Sequence, residues 1–379
     1  MPTEKPTGKL PAERREAQLH AAAAAASVPA AFGHRLLGLP GTHLAHTSLP
    51  NPSFLKRSTA PWHYWWQAHY LDCLLDAAER EHAHASKHDD GAAHRTSARR
   101  LLRTIRLRNG GRWRNSYYDD MAWLALAALR SADVAGTRPL PTLTAALASA
   151  HTPDLGGGLF WNTSRDFKNT PATAPAALYF ARIGRADKAA SLIDWLFTRL
   201  LDPATGLLFD GIRIPGERVV TDLYTYNQGP VLGALLALGD EQSLQRAEDL
   251  ITAIATHLVL PDGALRTHGG GDGGLFTGIL ARYLALAAAS PALPEETRTT
   301  ARTLITTTAR ALWTGRGERE AGVRRRRTVL VFPAAPGDSA GKGAVELSTQ
   351  LQAWMIFEAA HVAGGASVKA TAQDPLNAA

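Results

Sequence analysis

The stretch RNGGRWRNSYYDDMAWLALAAL, residues Arg108–Leu129, joins two patterns that recur along the chain. Its first half is a long loop rich in glycine, aromatic and polar residues. Its second half is apolar on nearly every side, as in a helix buried in a core. Other long loops of this kind also lead into strongly apolar segments, whereas the remaining connections are short and plain. The alternation predicts helical hairpins in which every second helix is buried.

The spacing of apolar residues, and the Gly, Pro and Asp breaks between segments, predict about twelve helices and very little strand. Their approximate bounds are 12–27, 61–83, 91–107, 116–131, 141–150, 171–183, 185–201, 222–238, 241–258, 274–289, 294–312 and 345–363. The most apolar segments are MAWLALAAL, PAALYFAR, GPVLGALLALG, LFTGILARYLALAAA and LQAWMIFEAA. We interpret these as inner helices.

Hairpins of this kind fit a ring in which one helix of each pair lies inside and the other outside. All loops that enter the inner helices then emerge on one face, so the elaborate loops converge on one cleft. We therefore predict an all-α fold, a single-domain (α/α)6 barrel or six-hairpin toroid over residues 11–365, with flexible segments at 1–10 and 366–379. An open α-solenoid is the alternative, because periodicity does not show whether the ring closes.

Composition excludes several classes of protein. The chain has 379 residues, of which 45% are hydrophobic, so it can bury a large core without disulfides or metals. Cys73 is its only cysteine, which excludes an internal disulfide and a cysteine-built zinc site. The first segment is a poor secretory signal and too weakly apolar to cross a bilayer. We expect a cytoplasmic monomer with no transmembrane segment, metal or cofactor.

The formal charge of +7 does not imply a uniform basic face, because a run of arginines ends in Arg324 to Arg327. Binding of nucleic acid requires basic residues interleaved with stacking aromatics or a recognition motif, and this run has neither, so we predict no nucleic-acid partner. A solvated loop is the first interpretation. Contact with an anionic group of the substrate is the second, since clustered arginines bind phosphate well.

Asp119 and Asp120 stand side by side at the start of the helix in the opening stretch. A single aspartate at this place would be interpreted as a helix cap, but a cap does not need two. Two carboxyl groups in a partly dry pocket cannot both ionise easily, so one stays charged while the other keeps its proton. Glycoside hydrolysis uses such a pair: one group attacks the anomeric carbon or activates water, and the other protonates the leaving oxygen.

The elaborate loops also supply the side chains that bind sugars. Aromatic rings pack on the apolar C–H faces of a sugar, and amide or charged groups bond its hydroxyls. Core packing explains any one of these aromatics, and it is their clustering that favours a sugar site. The candidates for substrate binding are Trp65, Trp66, Gln67, Tyr118, Trp123, Trp161, Asn162, Lys168, Asn169, Tyr224, Tyr226, Asn227, Gln228 and Asp272.

A series of motifs runs from about Trp62 to the last helix: WHYWWQAHYLDCLLDA, YYDDMAWLALAAL, GGGLFWN, FKNTPATAPAAL, YTYNQGPVLGALLAL, GGDGGLFTGILARYL and LSTQLQAWMIFEAA. In content and order, this series resembles the motifs of glycoside hydrolase family 76, the α-1,6-mannanases. The resemblance is specific because the aspartate pair and YTYNQG occur together.

This resemblance implies an (α/α)6 barrel that cleaves α-1,6-linked mannose oligosaccharides or polysaccharides in the endo manner with retention. It implies Asp119 as the nucleophile and Asp120 as the general acid/base. A mannan transglycosylase, a non-catalytic mannan-binding protein and, more distantly, a sugar isomerase or epimerase are the alternatives. The arginine run adds the hypothesis of an anionic mannoconjugate as substrate.

Overall fold

The structure is a computed structural model that describes residues 12–51, 61–84, 91–321 and 327–365. The flexible ends predicted at 1–10 and 366–379 lie outside the described residues, as do Arg324 to Arg326. None of the helices in the described part is long and apolar enough to span a membrane.

All twelve predicted helices are present, and one short helix adds to them. In chain order the helices are α1 (Ala12–Phe32), α2 (Tyr64–His84), α3 (Ala92–Arg108), α4 (Tyr118–Arg130), α5 (Ala132–Ala135), α6 (Leu140–Ala150), α7 (Thr170–Arg182), α8 (Ala186–Arg199), α9 (Thr225–Leu238), α10 (Glu241–His257), α11 (Gly273–Ala289), α12 (Glu295–Thr314) and α13 (Leu347–Ala363). The unpredicted one is α5, a single turn after α4.

The helices form two concentric layers. Inner helices α2, α4, α7, α9, α11 and α13 each contact the next, and α13 returns to contact α2. Five of the outer helices each pack on the inner helix that comes before them in the chain; they are α3, α6, α8, α10 and α12. The sixth outer helix, α1, packs on α13. The ring is therefore closed, which confirms the (α/α)6 toroid. An open solenoid would leave its first and last repeats apart.

Packing differs between the two layers, as the sequence patterns predict. Small residues let inner helices approach closely: a Cβ atom on Gly278 of α11 would lie 2.7 Å from the Cα atom of Gln352 in α13. Outer helices bury one face only, with the spacing of an amphipathic helix. In α8 the buried residues are Ala189, Leu192, Ile193, Trp195 and Leu196.

Short antiparallel strands tie the long loops together. They are β1 (Gly33–His34), β2 (Leu44–Ala45), β3 (Ser48–Leu49), β4 (Phe167–Asn169), β5 (Gly211–Arg213), β6 (Arg218–Val220), β7 (Gly317–Ala321), β8 (Arg327–Val331) and β9 (Val345–Glu346). The β4–β5–β6 sheet joins the loops before α7 and α9, and β3 pairs with β9 to join those before α2 and α13. Strands of two to five residues are too short to show a period-two pattern, so the sequence did not indicate them.

A network of charges, buried at Asp72 and half-buried at its other members, links three inner helices at the end of the barrel away from these loops. Arg130, the last residue of α4, donates to Asp72 and Asp76 of α2, at 2.8 Å each. Arg282 of α11 donates to Asp76, also at 2.8 Å. Burial alone would raise the pKa of Asp76, but Arg282 and Arg130 together hold it below its usual value. Ion pairs thus join α2, α4 and α11.

Candidate active site

The aspartate pair lies in the first turn of α4, where the sequence predicts it. The loop before α7 crosses directly over this turn: the backbone N–H of Tyr118 donates to the carbonyl of Trp161 at 2.8 Å, and Tyr117 forms a β-bridge with Asn162. Two elaborate loops distant in sequence are thereby joined, and the indole of Trp161 lies against the pair.

The two carboxylates have different hydrogen-bond partners. Asp119 accepts from the indole N–H of Trp161 at 2.9 Å and from the backbone N–H of Asp120, also at 2.9 Å. Asp120 accepts from the side-chain amide of Asn115. The amide oxygen of Asn115 in turn accepts from the backbone N–H of Tyr117 at 3.0 Å, which fixes its orientation. Asp119 therefore has two N–H donors and Asp120 has one.

This difference separates the two groups electrostatically. Burial raises the pKa of Asp119, and the N–H groups of Asp120 and Trp161 oppose that rise. Burial also raises the pKa of Asp120 well above its usual value, and the neighbouring charge of Asp119 raises it further, with only Asn115 opposing. Asp119 thus ionises before Asp120. At a pH between the two transitions the pair holds one charge and one proton.

A third carboxylate, Asp272, lies at the start of α11 and is exposed. It accepts from the indole N–H groups of Trp65 at 3.2 Å and Trp66 at 2.8 Å. Its charge contributes to the raised pKa values of both catalytic candidates, Asp119 and Asp120. The first turn of α2 and the glycine-rich loop before α11 thus meet at the same cleft.

Aromatic side chains from the first turns of α2, α9 and α11, and from the loop before α9, form a wall beside the carboxylates. Tyr226 stacks on Phe276, with ring centroids 3.8 Å apart and an interplanar angle of 12°. Tyr224 lies 6.0 Å from Tyr226, and Trp65 lies 6.4 Å from Phe276. Burial raises the pKa of Tyr226 well above its usual value, and the charges of Asp210 and Asp119 add to the rise. Flat aromatic faces beside polar groups are suited to binding sugar rings.

The profile of glycosyl hydrolase family 76 matches residues 46–371 of the chain. The chain belongs to glycosyl hydrolase family 76. It is therefore a glycoside hydrolase, as the sequence motifs predicted. No curated protein sequence matches the chain significantly.

Solved structures of other family 76 proteins have the same architecture. The GH76A α-1,6-mannanase from Salegentibacter sp. HEL1_6 is 27% identical, with a TM-score of 0.76 over 92% of this chain and 99% of that chain. A variant of that enzyme, inactivated by replacing two adjacent aspartates with asparagine, is in complex with α-1,6-mannotriose; it is 26% identical with the same TM-score and coverage. Dfg5 from Chaetomium thermophilum, in complex with glucosamine, shares the fold at 16% identity and a TM-score of 0.63, over 92% of this chain and 90% of that chain.

Within this family 76 cleft, several of the predicted binding residues are buried and form hydrogen bonds to the backbone of the loops. Lys168 is fully buried, and its ammonium group donates to the carbonyls of Thr152, Asp154 and Gly157 at 2.7–2.9 Å. Burial lowers the pKa of Lys168 to about 8. This lysine folds the loop before α7 around its side chain, and its contact with a sugar stays a prediction.

The buried amides have similar supporting roles. Gln67 bonds both backbone groups of Ala45 at 3.0 Å, and Gln228 does the same for Leu208 at 2.9 and 3.0 Å. Asn169 caps α7, since its side chain accepts from the backbone N–H of Ala172. For these three residues, too, direct binding of substrate stays a prediction.

The remaining candidates differ in exposure. Asn227 is fully buried and donates to the carboxylate of Asp210 at 3.3 Å. Tyr118 and Trp123 are only 3% exposed, and the ring of Trp123 lies 4.8 Å from that of His69 beneath the cleft. The half-buried candidates are Trp65, Trp161, Asn162, Tyr224 and Tyr226.

Four further residues that shape the site were not singled out from the sequence. They are Asn115, Asp210, Phe276 and Glu346, whose carboxylate accepts from the backbone N–H of Gly271 and so holds the loop that carries Asp272. Burial raises the pKa of Asp210 to about 6. Asn115 and Phe276 had a signal, because each lies within five residues of a candidate carboxylate. Glu346 had none, since it is remote in sequence from the loop that it supports.

Among the described residues, no three His, Cys, Asp or Glu side chains are grouped so that they could hold a metal ion. The expectation that the reaction needs no metal stays a prediction.

Proposed function

We propose that this chain hydrolyses α-1,6-mannosidic bonds with retention of configuration at the anomeric carbon. The observation that carries the proposal is the unequal hydrogen bonding of the pair, with two N–H donors on Asp119 and one on Asp120. An anion held by two N–H groups is suited to attack, and a neighbour that keeps its proton is suited to donate it. Asp119 is the proposed nucleophile and Asp120 the proposed general acid/base.

The reaction would proceed in two displacements. Asp119 attacks the anomeric carbon while Asp120 gives its proton to the departing glycosidic oxygen, which leaves a mannosyl ester on Asp119. Asp120, now a carboxylate, removes a proton from water, and the water breaks the ester. Retaining glycosidases hold the two carboxyl groups roughly 5 Å apart, a spacing that suits neighbouring residues on one helical turn.

The choice of sugar and linkage rests on the comparisons. The Salegentibacter enzyme is named an α-1,6-mannanase, and its variant without the two adjacent aspartates is in complex with α-1,6-mannotriose. The present chain has adjacent aspartates on the same fold and aromatic rings beside them. These similarities support α-1,6-linked mannose as the substrate. The endo mode of cleavage is a further prediction, tested by the lengths of the products.

The assignment of roles is tested with two substrates that differ in their leaving groups. Asp119→Ala should abolish release of mannose from both α-1,6-mannotetraose and an aryl α-mannoside with an acidic phenol. Asp120→Ala should lose activity on the tetraose but keep much of its kcat/KM for release of the phenol from the aryl mannoside, because a good leaving group needs no proton. Its turnover should then be limited by slow hydrolysis of the ester, since Asp120 is also the base of the second displacement. The matched control is Asp133→Asn, an exposed aspartate on α5, which should leave both rates unchanged.

Two results would contradict the proposal. Equal loss on both substrates for Asp120→Ala would remove its role as acid, and a β-configured sugar as the first product would exclude retention. Addition of an acceptor mannoside separates hydrolysis from transfer, because a transglycosylase would form the longer glycan in preference to free sugar.

A further inference from the structure

The outer wall formed by α3 and the loop after it is unusually basic. Residues 92–114 contain eight arginines and no acidic residue. Six of these arginines are exposed, and no ion pair joins any of the six to a carboxylate of the described chain: Arg99, Arg100, Arg103, Arg106, Arg112 and Arg114.

Arginines on two other outer helices form ion pairs with carboxylates. Arg199 of α8 pairs with Glu217 at 2.7 Å, and Arg246 of α10 pairs with Asp194 at 2.7 Å. In α3, by contrast, Arg99 and Arg103 are four residues apart on the same exposed face and repel each other. The helix C-terminus favours arginines in the last turn only. Arg99 donates to the carbonyl of Val134 at 2.8 Å, but no carboxylate of the described chain pairs with this mid-helix charge.

Exposed leucines lie on the same wall. Leu107 of α3 is 56% exposed, and Leu37 and Leu39, in the hairpin between β1 and β2, are 54% and 51% exposed. These are three of the seven large hydrophobic residues that are exposed in the described chain. Leu37 also has a φ of 48°, a left-handed conformation that is unfavourable for a leucine. Leu37 thus combines an unfavourable backbone conformation with an apolar side chain that is exposed to solvent.

The hairpin packs directly against α3. The backbone N–H of His43 donates to the hydroxyl of Thr104 at 3.0 Å. Burial lowers the pKa of His43 to about 4, and the charges of His34 and Arg100 contribute to this change. On α3, Arg100 and Leu107 are the helical neighbours of Thr104 at one turn before and one turn after it. The leucines and the arginines therefore form one surface, which we call the α3 wall.

We propose that the α3 wall docks the protein onto an anionic phospholipid bilayer. Unpaired arginines attract the negative surface of such a bilayer, and exposed leucines enter the boundary between headgroups and acyl chains. A phosphorylated glycan bound in the cleft is a poorer match, because it would not run down the outside of the barrel and has no use for leucines. Docking does not depend on the proposed activity.

The position of the wall gives docking a consequence for substrate. A loop from Asn109 to Tyr117 leads from the C-terminal end of α3 into the turn that carries Asp119 and Asp120. A bilayer against α3 would therefore lie beside the mouth of the cleft. If the proposed activity holds, mannose chains attached to that bilayer would be the accessible substrates.

Sedimentation with lipid vesicles tests the proposal. The protein should bind vesicles that mix phosphatidylglycerol with phosphatidylcholine, should not bind phosphatidylcholine alone, and should dissociate as salt is added. Each arginine near an anionic surface contributes about 1 kcal/mol, so replacing Arg99, Arg100 and Arg103 with glutamine should lower the partition coefficient about a hundredfold. Glutamine is also a good helix former, so α3 should be retained.

The matched control replaces three exposed arginines elsewhere, Arg185, Arg218 and Arg310, with glutamine. It removes the same charge and should change the partition by less than about threefold. The double variant Leu37→Ser, Leu39→Ser should lower it about tenfold through lost apolar burial. Circular dichroism and activity on a soluble aryl mannoside should be unchanged in all three variants.

Three results would overturn the proposal: no binding to either vesicle, equal weakening by the control and the α3 variant, or tight binding to heparin combined with no effect of the leucine changes. The last result would identify a soluble polyanion as the partner. Loss of vesicle binding with full hydrolysis, or the reverse, separates this proposal from the proposed function.

Discussion

Replacing Trp161 with phenylalanine should move one limb of the pH–activity profile and leave the other in place. The indole N–H donates to Asp119 at 2.9 Å, and phenylalanine has no such donor. It does retain an aromatic ring for the contacts with Tyr117 at 5.2 Å and Phe167 at 6.2 Å. The backbone N–H of Asp120 still donates to Asp119.

The size of the shift follows from the lost hydrogen bond. A hydrogen bond to a charged group contributes about 1.5–3 kcal/mol, and one pKa unit corresponds to about 1.4 kcal/mol. The pKa of Asp119 is already raised by burial, and loss of the donor removes an opposing effect, so it should rise further by about one to two units. Since the nucleophile must be ionised, the acidic limb of kcat/KM should move up by that amount.

The companion variant Asn115→Ala acts on the other carboxyl group. Its amide stabilises the ionised form of Asp120, so its removal should raise the pKa of the general acid and move the basic limb to higher pH. The assay is release of reducing sugar from α-1,6-mannotetraose across the pH range. Any loss of sugar stacking lowers kcat/KM equally at every pH and moves neither limb. Interchanged limbs would mean that the roles of the two aspartates are reversed, and two unmoved limbs would refute the reasoning.

Three further predictions concern charge and stability. Because the pKa of Asp120 is raised in the folded state, the free energy of unfolding falls as pH rises. Asp120→Asn should therefore increase the free energy of unfolding at about pH 8 by more than about 1 kcal/mol. Thermal unfolding should show that this gain disappears at low pH, where Asp120 is protonated in both the folded and the unfolded state. Asp272→Asn should move both limbs of the pH profile down by less than about one unit, since its exposed charge is screened. Arg130→Met should cost about 3–5 kcal/mol in urea unfolding because it leaves the buried carboxylate of Asp72 without its partner, whereas Arg246→Met, at an exposed pair, should cost less than about 1 kcal/mol.

The fold was largely predictable from local patterns. Apolar runs such as MAWLALAAL are long and uninterrupted, so they identify inner helices without any knowledge of the neighbours. Closure of the ring was not accessible in the same way. It depends on contact between α2 and α13, which are separated by most of the chain.

The site was predictable where the chemistry is local and not where it depends on how a loop folds. Asp119 and Asp120 share one helical turn, so their proximity follows from the sequence. Lys168 looks like a sugar-binding residue in sequence, yet its ammonium group lies under the loop and bonds three carbonyls. Which way such a side chain points is decided by the tertiary packing of loops, and single-sequence patterns contain no signal for it.

The distribution of positive charge shows the same limit. Arg324 to Arg327 attract notice because they are consecutive, while the arginines of α3 are spaced among leucines and look like an ordinary amphipathic helix. The structure shows that the spaced set is exposed along one wall. Helical spacing collects on one face charges that appear scattered when the sequence is read linearly.

The contact between α13 and α2 restricts how this architecture can diversify. An open array of repeats can gain or lose a unit at either end and lengthen its binding surface. A sealed ring cannot, because an inserted hairpin would change the circumference and loosen every contact around it. New specificities on this scaffold must therefore arise through insertions and substitutions in the loops at one rim, while the number of helices in the ring stays constant.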